Sequence, residues 1–245
     1  MENLKDHIKS YWTRRAPSFL QQRLREFESE KRELWLREIS RYLPQGKRLR
    51  ILDVGTGTGF LACILAAKGH TVTGIDLTAD MVSHAETFAR TVDVPARFLV
   101  MDAECPDFPP ESFDAVVTRN LTWTLPDLQK AYRSWHELLA KGGTLINFDA
   151  DYCHEFSDAE DVALLPNHAH KLIPADLVAE SDEITLELCA YQKRRPEWDL
   201  RLLIDAGFSR VTVDTGVWKR LYAEPDEFYN PTPIFTIAAY KDSRR

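Results

Sequence analysis

The feature that most restricts the fold of this chain is a short, mostly apolar run that ends in a glycine-rich turn. The run covers residues 50–54, and three glycines follow it at alternating positions, Gly55, Gly57 and Gly59. Such runs are typical of buried parallel strands, and glycines let the backbone approach a ligand where a Cβ would collide. An apolar stretch begins at Phe60, so the pattern predicts a strand, a ligand-binding turn and a helix in that order.

The spacing of these glycines argues against a nicotinamide dinucleotide as the ligand. The dinucleotide fingerprint places its third glycine three residues after the second, and here Gly59 comes one residue early. Phe60 then stands where that fingerprint requires a small residue. Binding of such a dinucleotide is therefore disfavoured.

The rest of the chain alternates short apolar runs with helix-sized segments. The further runs that we interpret as strands cover residues 71–76, 97–102, 113–118, 144–149, 208–214 and 234–240. Helices are predicted over residues 79–90, 126–140 and 197–206. Alternation of this kind is typical of an α/β fold, in which a doubly wound sheet carries helices on both faces.

The length of 245 residues suits a single domain with insertions. Its predicted parts are an N-terminal helical arm over residues 1–46, a core over 47–150, a variable insertion over 151–195, and a C-terminal helix with strands over 196–245. In the arm, Ser18 is a candidate N-cap for a helix whose apolar residues recur at helical spacing. The insertion is a candidate substrate lid.

The net charge and the lengths of the apolar stretches restrict which partners and which cellular location we expect for the protein. The formal net charge of −7 disfavours nucleic acid, whose binders usually carry a basic face. The basic run at residues 193–195 is interpreted as a solvated loop. No apolar stretch is long enough for a signal peptide or a membrane span, so we expect a cytoplasmic protein that does not bind membranes.

The cysteines and histidines indicate neither a disulfide framework nor a metal site. The four cysteines show no CxxC pair, and no histidine spacing matches a zinc site. His168 and His170 are two residues apart, which is a poor arrangement for a metal on its own. We therefore expect reduced thiols and no bound metal.

Residues 53–59, DVGTGTG, resemble motif I of the class I S-adenosylmethionine methyltransferases, in their small-molecule, ubiquinone/menaquinone methyltransferase-like branch. The resemblance covers residues 50–149 and implies a seven-stranded Rossmann-like sheet, mostly parallel with an antiparallel last strand. It also implies S-adenosylmethionine as methyl donor, S-adenosylhomocysteine as product and a small-molecule methyl acceptor. The cofactor-binding residues that it implies in motif I are Asp53, Gly55, Thr56, Gly57, Gly59 and Phe60.

The next two predicted strands end in acids that the resemblance assigns to the cofactor. Asp76 follows the start of the glycine turn by about twenty residues, where a carboxylate accepts hydrogen bonds from both ribose hydroxyls. Asp102 and Ala103 match the adenine-recognition step of the family, in which a carboxylate accepts from the exocyclic amine and a backbone amide donates to the ring. The remaining implied contacts in this part are Leu77, Met81 and Glu104.

Residues 113–123 resemble motif IV, the strand end beneath the methionine part of the cofactor. Asn120 and Leu121 are the implied cofactor contacts. Many relatives carry a histidine after this strand, whereas this chain has Thr122 and Trp123, so an obvious local base is missing. Trp123 is a candidate for caging the sulfonium by cation–π attraction or for shaping the substrate pocket, and core packing is the alternative.

The catalytic base and the substrate contacts are expected outside these motifs. Methyl transfer to a protonated nucleophile needs a base, and Asp149 and His154 follow the strand whose carboxyl end faces the transferred methyl. In the arm, Tyr11, Trp12 and Arg15 are candidates for a lid that reaches the methionine carboxylate or the substrate. The alternative for Tyr11 and Trp12 is that they anchor the arm to the core.

Three function classes remain open from the sequence. They are a methyltransferase acting on an oxygen, nitrogen, sulfur or carbon atom of a small molecule, an RNA or protein methyltransferase, and a non-catalytic S-adenosylmethionine-binding module. The acidic charge favours the first over the second, and measurable turnover separates both from the third. A homodimer is also open, because the aromatic segment 215–233 can form a pocket wall or an interface.

Overall fold

Within the described part of the chain, seven strands form one mixed sheet. The computed structural model describes residues 2–154, 168, 171 and 173–243. The strands are β1 (Arg50–Val54), β2 (Thr71–Asp76), β3 (Ala96–Val100), β4 (Phe113–Arg119), β5 (Leu139–Ala150), β6 (Arg210–Asp214) and β7 (Ile234–Tyr240). The α-helices are α1 (Glu2–Glu28), α2 (Lys31–Ser40), α3 (Phe60–Ala67), α4 (Ala79–Thr91), α5 (Leu128–Leu138), α6 (Ala175–Cys189), α7 (Glu197–Asp205) and α8 (Val217–Leu221).

The strand order β3-β2-β1-β4-β5-β7-β6 confirms the predicted doubly wound sheet. β1 pairs in parallel with β2 on one side and with β4 on the other. The last strand, β7, runs antiparallel to both β5 and β6, as the resemblance implied. The chain order reverses between β1 and β4, and ligands of such sheets bind outside the carboxyl ends of the strands at that point.

Alternating side chains of the sheet contribute to two hydrophobic cores, one on each face. Ala115 and Val117 of β4 belong to the core that α1 to α4 cover, whereas Val116 belongs to the core beneath α5 and α7. Each core contains a fully buried tryptophan, Trp35 in the first and Trp135 in the second. Both faces of the sheet are therefore covered, which explains why its strands read as nearly continuous apolar runs.

The N-terminal arm contains a longer helix than the sequence pattern predicted. α1 begins at Glu2 and continues through Pro17 to Glu28, so the prediction of a helix start at Ser18 is wrong. Ser18 lies inside the helix, where its hydroxyl donates to the carbonyl of Arg15 at 3.0 Å. α1 packs against α3, α4 and α6, so the arm is part of the main body of the domain. None of the described helices combines the length and the apolarity needed to cross a bilayer.

β5 begins earlier than predicted, because the glycines before it belong to the strand. α5 ends at Leu138, and β5 starts at the next residue instead of at residue 144. The pairing of β5 with β4 shifts register between Phe113 and Ala115, which marks an irregularity in the ladder. Gly142 takes a φ of +74° within this irregularity.

A disulfide between Cys153 and Cys189 contradicts the expectation of reduced thiols. It links the loop after β5 to the end of α6 across 36 residues of sequence. The pairing was not readable from the sequence, because the two cysteines are brought together only when α6 packs against α1 and the short helical turn at residues 122–124. Cys63 and Cys105 are free.

Arg195 is fully buried, so the interpretation of residues 193–195 as a solvated loop is wrong for this residue. Its guanidinium lies 2.6 Å from Asp199 and 3.2 Å from Asp149. Two carboxylates on other elements thus compensate its charge. His170, which the sequence analysis considered as a metal ligand, lies outside the described residues.

Candidate active site

A cavity of about 520 Å³ opens at the carboxyl ends of β1, β2 and β4. The glycine turn after β1 lines one side of it, and residues of α1 and α6 line the others. The cavity therefore lies where the strand order reverses, which is the position expected for a ligand of this sheet.

The glycine turn is held by a buried carboxylate beneath it. Asp53 accepts hydrogen bonds from the Thr56 hydroxyl at 2.7 Å and from the Ala62 amide at 3.0 Å. Burial raises the pKa of Asp53 to about 7. Gly55 has a φ of +64°, and a Cβ there would lie 2.6 Å from Leu121 Cδ1. Only glycine fits this point without displacing the side chain that follows β4.

Asp76 ends β2 with both carboxylate oxygens directed at backbone amides. One oxygen accepts from the Gly57 amide and the other from the Thr78 amide, each at 2.9 Å. Burial raises the pKa of Asp76 above its ordinary value, although the hydrogen bonds from the two amides offset part of this rise. Leu77 and Met81 line the cavity beside this carboxylate. Asp76 thus joins the glycine turn to the start of α4 and faces the cavity.

At the end of β3, Asp102 is paired with a residue of the arm. The Lys5 ammonium lies 2.9 Å from Asp102 and also binds Glu104. Burial alone would raise the pKa of Asp102, but Lys5 and the Glu104 amide outweigh it and lower the pKa below its ordinary value. Glu104 accepts from the Asp127 amide at 2.8 Å and does not line the cavity, so its contacts support the loop after β3.

Aromatic and amide side chains gather beyond the end of β4. Asn120 takes a φ of +52°, and its side-chain oxygen accepts from the Tyr152 hydroxyl at 3.2 Å. That hydroxyl also accepts from the Asn230 amide at 3.0 Å. The rings of Trp123 and Tyr152 lie 4.8 Å apart, and both line the cavity. This side of the cavity therefore combines flat apolar surfaces with a few fixed polar groups.

The arm contributes a row of residues to the cavity. Trp12 makes edge contacts with Tyr11 and Phe19, with ring centroids 5.2 and 5.6 Å apart. Arg15 is 6% exposed and donates to the Ser18 hydroxyl at 2.7 Å. Its Nε is buried without a hydrogen-bond partner among the described residues. Arg15 therefore has a donor available to a ligand.

Asp149 lies outside the cavity, although the sequence suggested it as a base. It is fully buried and accepts from the Thr122 hydroxyl, from the Trp123 amide at 3.0 Å and from the Ala150 amide at 2.9 Å. Arg195 lies 3.2 Å from the same carboxylate. Burial raises the pKa of Asp149, but its oxygens are occupied by donors of the fold. These contacts give Asp149 a structural role.

His154 also lies outside the cavity. Its side chain is 39% exposed, and its Nδ1 lies 2.8 Å from the buried Asp151 carboxylate. The structure therefore brings neither of the two base candidates to the cavity wall.

Most of the residues singled out from the sequence meet in this cavity. Those that line it are Tyr11, Trp12, Arg15, Asp53, Gly55, Thr56, Gly57, Phe60, Asp76, Leu77, Met81, Asp102, Ala103, Asn120, Leu121 and Trp123. Gly59 and Glu104 do not line it and instead support its walls.

Several lining residues were missed by the sequence reasoning. They are Lys5, Phe19, Arg23, Arg119 and Tyr152, and His168, which the sequence offered only as a poor metal ligand, also lines the cavity. The arm members could have been found, because Lys5, Trp12 and Phe19 recur every seven residues and so share one helix face with Arg15 and Arg23. Nothing in the local sequence marks Tyr152.

The strand order, the glycine turn and the acids that end β2 and β3 together define a Rossmann-like domain with a cavity at the carboxyl ends of its strands. Residues 52–147 match the family model of the methyltransferase domain. The matched span contains the glycine turn, Asp76 and Asp102, so the chain is similar to methyltransferases over this part of the sheet.

Two curated relatives and two solved structures illustrate the similarity. The demethylmenaquinone methyltransferase of Thermus thermophilus is 38% identical over 99 residues, which are 40% of this chain and 45% of that protein. The uncharacterized methyltransferase YcgJ of Bacillus subtilis is 29% identical over 66% of this chain and 64% of its own. The chain thus covers less than two thirds of either relative.

The solved structures agree with the fold. The YcgJ structure superimposes with a TM-score of 0.55 at 19% identity, over 85% of this chain and 97% of that chain. The Haemonchus contortus phosphoethanolamine N-methyltransferase 2 in complex with S-adenosyl-L-methionine gives a TM-score of 0.58 at 18% identity, over 84% of this chain and 52% of that chain. At these identities the likeness shows the fold alone.

Proposed function

We propose that this protein transfers a methyl group from S-adenosylmethionine to a small-molecule acceptor held in the cavity of about 520 Å³. The proposal rests mainly on the position of Asp76. Its carboxylate ends β2 and faces the same cavity as the glycine turn and Asp102. The family match and the activity named for the Thermus relative support it.

The residues fit the adenosyl part of the cofactor. An ionised carboxylate offers about four acceptor sites, and Asp76 uses two of them on amides, so two remain for the ribose hydroxyls. Asp102 and the amide of Ala103 would hold the adenine, with Met81 against its face. The ends of β3, β2 and β1 span about 10 Å, because neighbouring strands lie about 4.8 Å apart.

The residues also fit the methionine part. Gly55 and Gly57 present bare backbone to the cavity, and Phe19 packs 3.2 Å from the position that a Cβ of Gly57 would take. The buried, unpartnered Nε of Arg15 supplies a donor for the methionine carboxylate. Guanidinium–carboxylate pairs are strong and directional, so Arg15 would fix this end of the cofactor.

Bound S-adenosylmethionine supplies a methyl group on a positively charged sulfur. A lone pair of the acceptor forms the new bond to the methyl carbon, the carbon–sulfur bond breaks, and its electron pair remains on sulfur in S-adenosylhomocysteine. The chain aligns the acceptor for this in-line displacement and excludes water, with α1 and α6 over the cavity. The ring faces of Trp123 and Tyr152 would attract the sulfonium charge.

An acceptor that loses a proton needs a base, and His168 is better placed for this role than Asp149 or His154. His168 is buried and lines the cavity, and its Nε2 lies 2.7 Å from the Tyr229 carbonyl. A carbonyl only accepts hydrogen bonds, so Nε2 carries a hydrogen and His168 is held at a fixed position in the cavity wall.

A small acceptor agrees with the cavity better than RNA or protein does. α1 and α6 cover the site, and the net charge of −7 does not attract a polyanion. A cytoplasmic location and a homodimer stay predictions.

Calorimetric titration with S-adenosylmethionine and S-adenosylhomocysteine tests the proposal. We expect micromolar binding by the wild type and a loss of about tenfold or more in Asp76→Ala, since charge-assisted hydrogen bonds are worth about 1.5–3 kcal/mol each. Asp205→Ala, which removes an exposed carboxylate on α7, is the matched control. Absence of binding, or equal binding by all three proteins, would contradict the proposal.

A further inference from the structure

We propose that the methyl acceptor carries an anionic group, a carboxylate or a phosphate, and that Arg23 and Arg119 bind it. This inference rests on the proposed function, because it places the acceptor in the same cavity as the cofactor. Both arginines line that cavity. Arg119 ends β4, three strand positions from the β3 end near Asp102, or about 14 Å across the sheet. The arginines thus lie beyond the adenosyl part of the cofactor.

The two guanidinium groups share one carboxylate. Arg119 lies 3.0 Å from one oxygen of Glu26, and Arg23 pairs with the other. The Trp35 indole also donates to Glu26 at 3.0 Å. Glu26 is fully buried and its oxygens are occupied by these donors. One carboxylate compensates one positive charge, so the cluster retains an excess positive charge at the cavity wall.

The nearby acid Asp53 does not remove this excess. One of its oxygens accepts both from the Thr56 hydroxyl and from the Ala62 amide of α3, and Arg119 interacts with Asp53 only through its charge. Its pKa of about 7, raised by burial, further reduces its mean charge at neutral pH. Arg15, the third arginine of the cavity, is already assigned to the methionine carboxylate. The charge on Arg23 and Arg119 is therefore left for the acceptor.

The arginines are held in place before any ligand binds. Arg119 stacks on Trp35 with its guanidinium carbon 4.0 Å from the ring centroid, and Arg23 stacks on Phe19 at 4.5 Å. The side chain of Arg119 is 9% exposed, and its buried Nε has no hydrogen-bond partner among the described residues. A fixed guanidinium with an unused donor matches the planar oxygens of a carboxylate or phosphate.

Anion binding by the protein–S-adenosylhomocysteine complex tests this inference. The complex is titrated with inorganic phosphate and with acetate, and chloride keeps the ionic strength constant. We expect saturable binding of at least one anion in the wild type. Arg23→Gln should weaken it by about tenfold to a hundredfold, the range for losing a charged hydrogen-bond partner. Lys9→Gln removes an equal charge from an exposed residue at the mouth of the cavity and should leave anion binding unchanged.

The measurement separates this inference from the proposed function. S-adenosylhomocysteine affinity is measured first, and it should be retained in Arg23→Gln; failure of the wild type to bind S-adenosylhomocysteine overturns the proposed function. Thermal unfolding of each variant confirms that it is folded. If the folded Arg23→Gln complex binds the anion as tightly as the wild type, or if the wild-type complex binds neither anion, the inference is overturned.

Discussion

Replacement of Glu26 by glutamine tests the buried charge cluster directly. The change leaves Arg23 and Arg119 without the carboxylate that they share. Removal of one partner from a buried ion pair costs about 3–5 kcal/mol, because the remaining charge stays buried and uncompensated. For a domain of this length each kcal/mol lowers Tm by about 2–4 °C, so we expect Tm to fall by about 6–20 °C.

Thermal unfolding followed by circular dichroism measures this change. Glu28→Gln, in the same helix but exposed, is the matched control and should shift Tm very little. Added phosphate should restore part of the loss in Glu26→Gln, because an anion that binds the folded state stabilises it by mass action. At about 2–4 °C per kcal/mol, a fall in Tm of less than about 2 °C would mean that loss of the Glu26 carboxylate hardly changes the free energy of unfolding. That result would refute the reasoning, because the two buried arginines would then not depend on this carboxylate.

Further predictions concern the glycine turn, the base, acid stability and the disulfide. Gly55→Ala should weaken S-adenosylhomocysteine binding by about tenfold or more, because its Cβ would meet Leu121 at 2.6 Å; calorimetry showing unchanged affinity contradicts this. His168→Asn should lower kcat in a methyl-transfer assay and leave S-adenosylhomocysteine affinity unchanged, whereas an unaltered kcat excludes the histidine as base. Burial favours a high pKa for Glu26, but the two arginines lower it, so its stabilisation is complete above its unfolded pKa of 4.5 and is lost as the pH falls through the lowered folded pKa. Denaturant titrations of wild type and Glu26→Gln should therefore differ most at neutral pH and converge in acid. Reduction of the disulfide, which closes a 36-residue separation, should cost about 3–4 kcal/mol of unfolding free energy, and equal denaturant midpoints with and without reductant would be inconsistent with it.

The sequence predicted which residues meet at the carboxyl ends of the strands, because the residue types expected there stand at fixed points of the fold. Gly55, Asp76 and Asp102 all stand at the carboxyl ends of strands, and a parallel sheet brings such ends together. The residues therefore converge as soon as the strands are identified. The strand predictions succeeded because both faces of the sheet are buried, which makes its strands continuous apolar runs.

The acceptor half was less predictable, because it depends on contacts between distant segments. Arg195 belongs to a basic run in the sequence, and only the folded chain shows that Asp149 and Asp199 bury it. Asp149 was proposed as a base for a related reason: position after a strand does not reveal that donors of the fold occupy the carboxylate. Ser18 shows that a local pattern alone does not fix where a helix begins, because a residue that suits an N-cap also occurs inside helices.

One helix, α1, connects the two ends of the cavity. On α1, Lys5 contacts Asp102 near the adenosyl end, and twenty-one residues later Glu26 contacts Arg119 of β4 at the arginine cluster. An α-helix turns by about 100° for each residue, so loss or gain of a single residue between these points would rotate one of them away from its partner. This segment should accept changes of side chain on its outer face yet reject insertions and deletions. Its length is constrained as strictly as the spacing of the strands beneath it, although it lies outside the sheet.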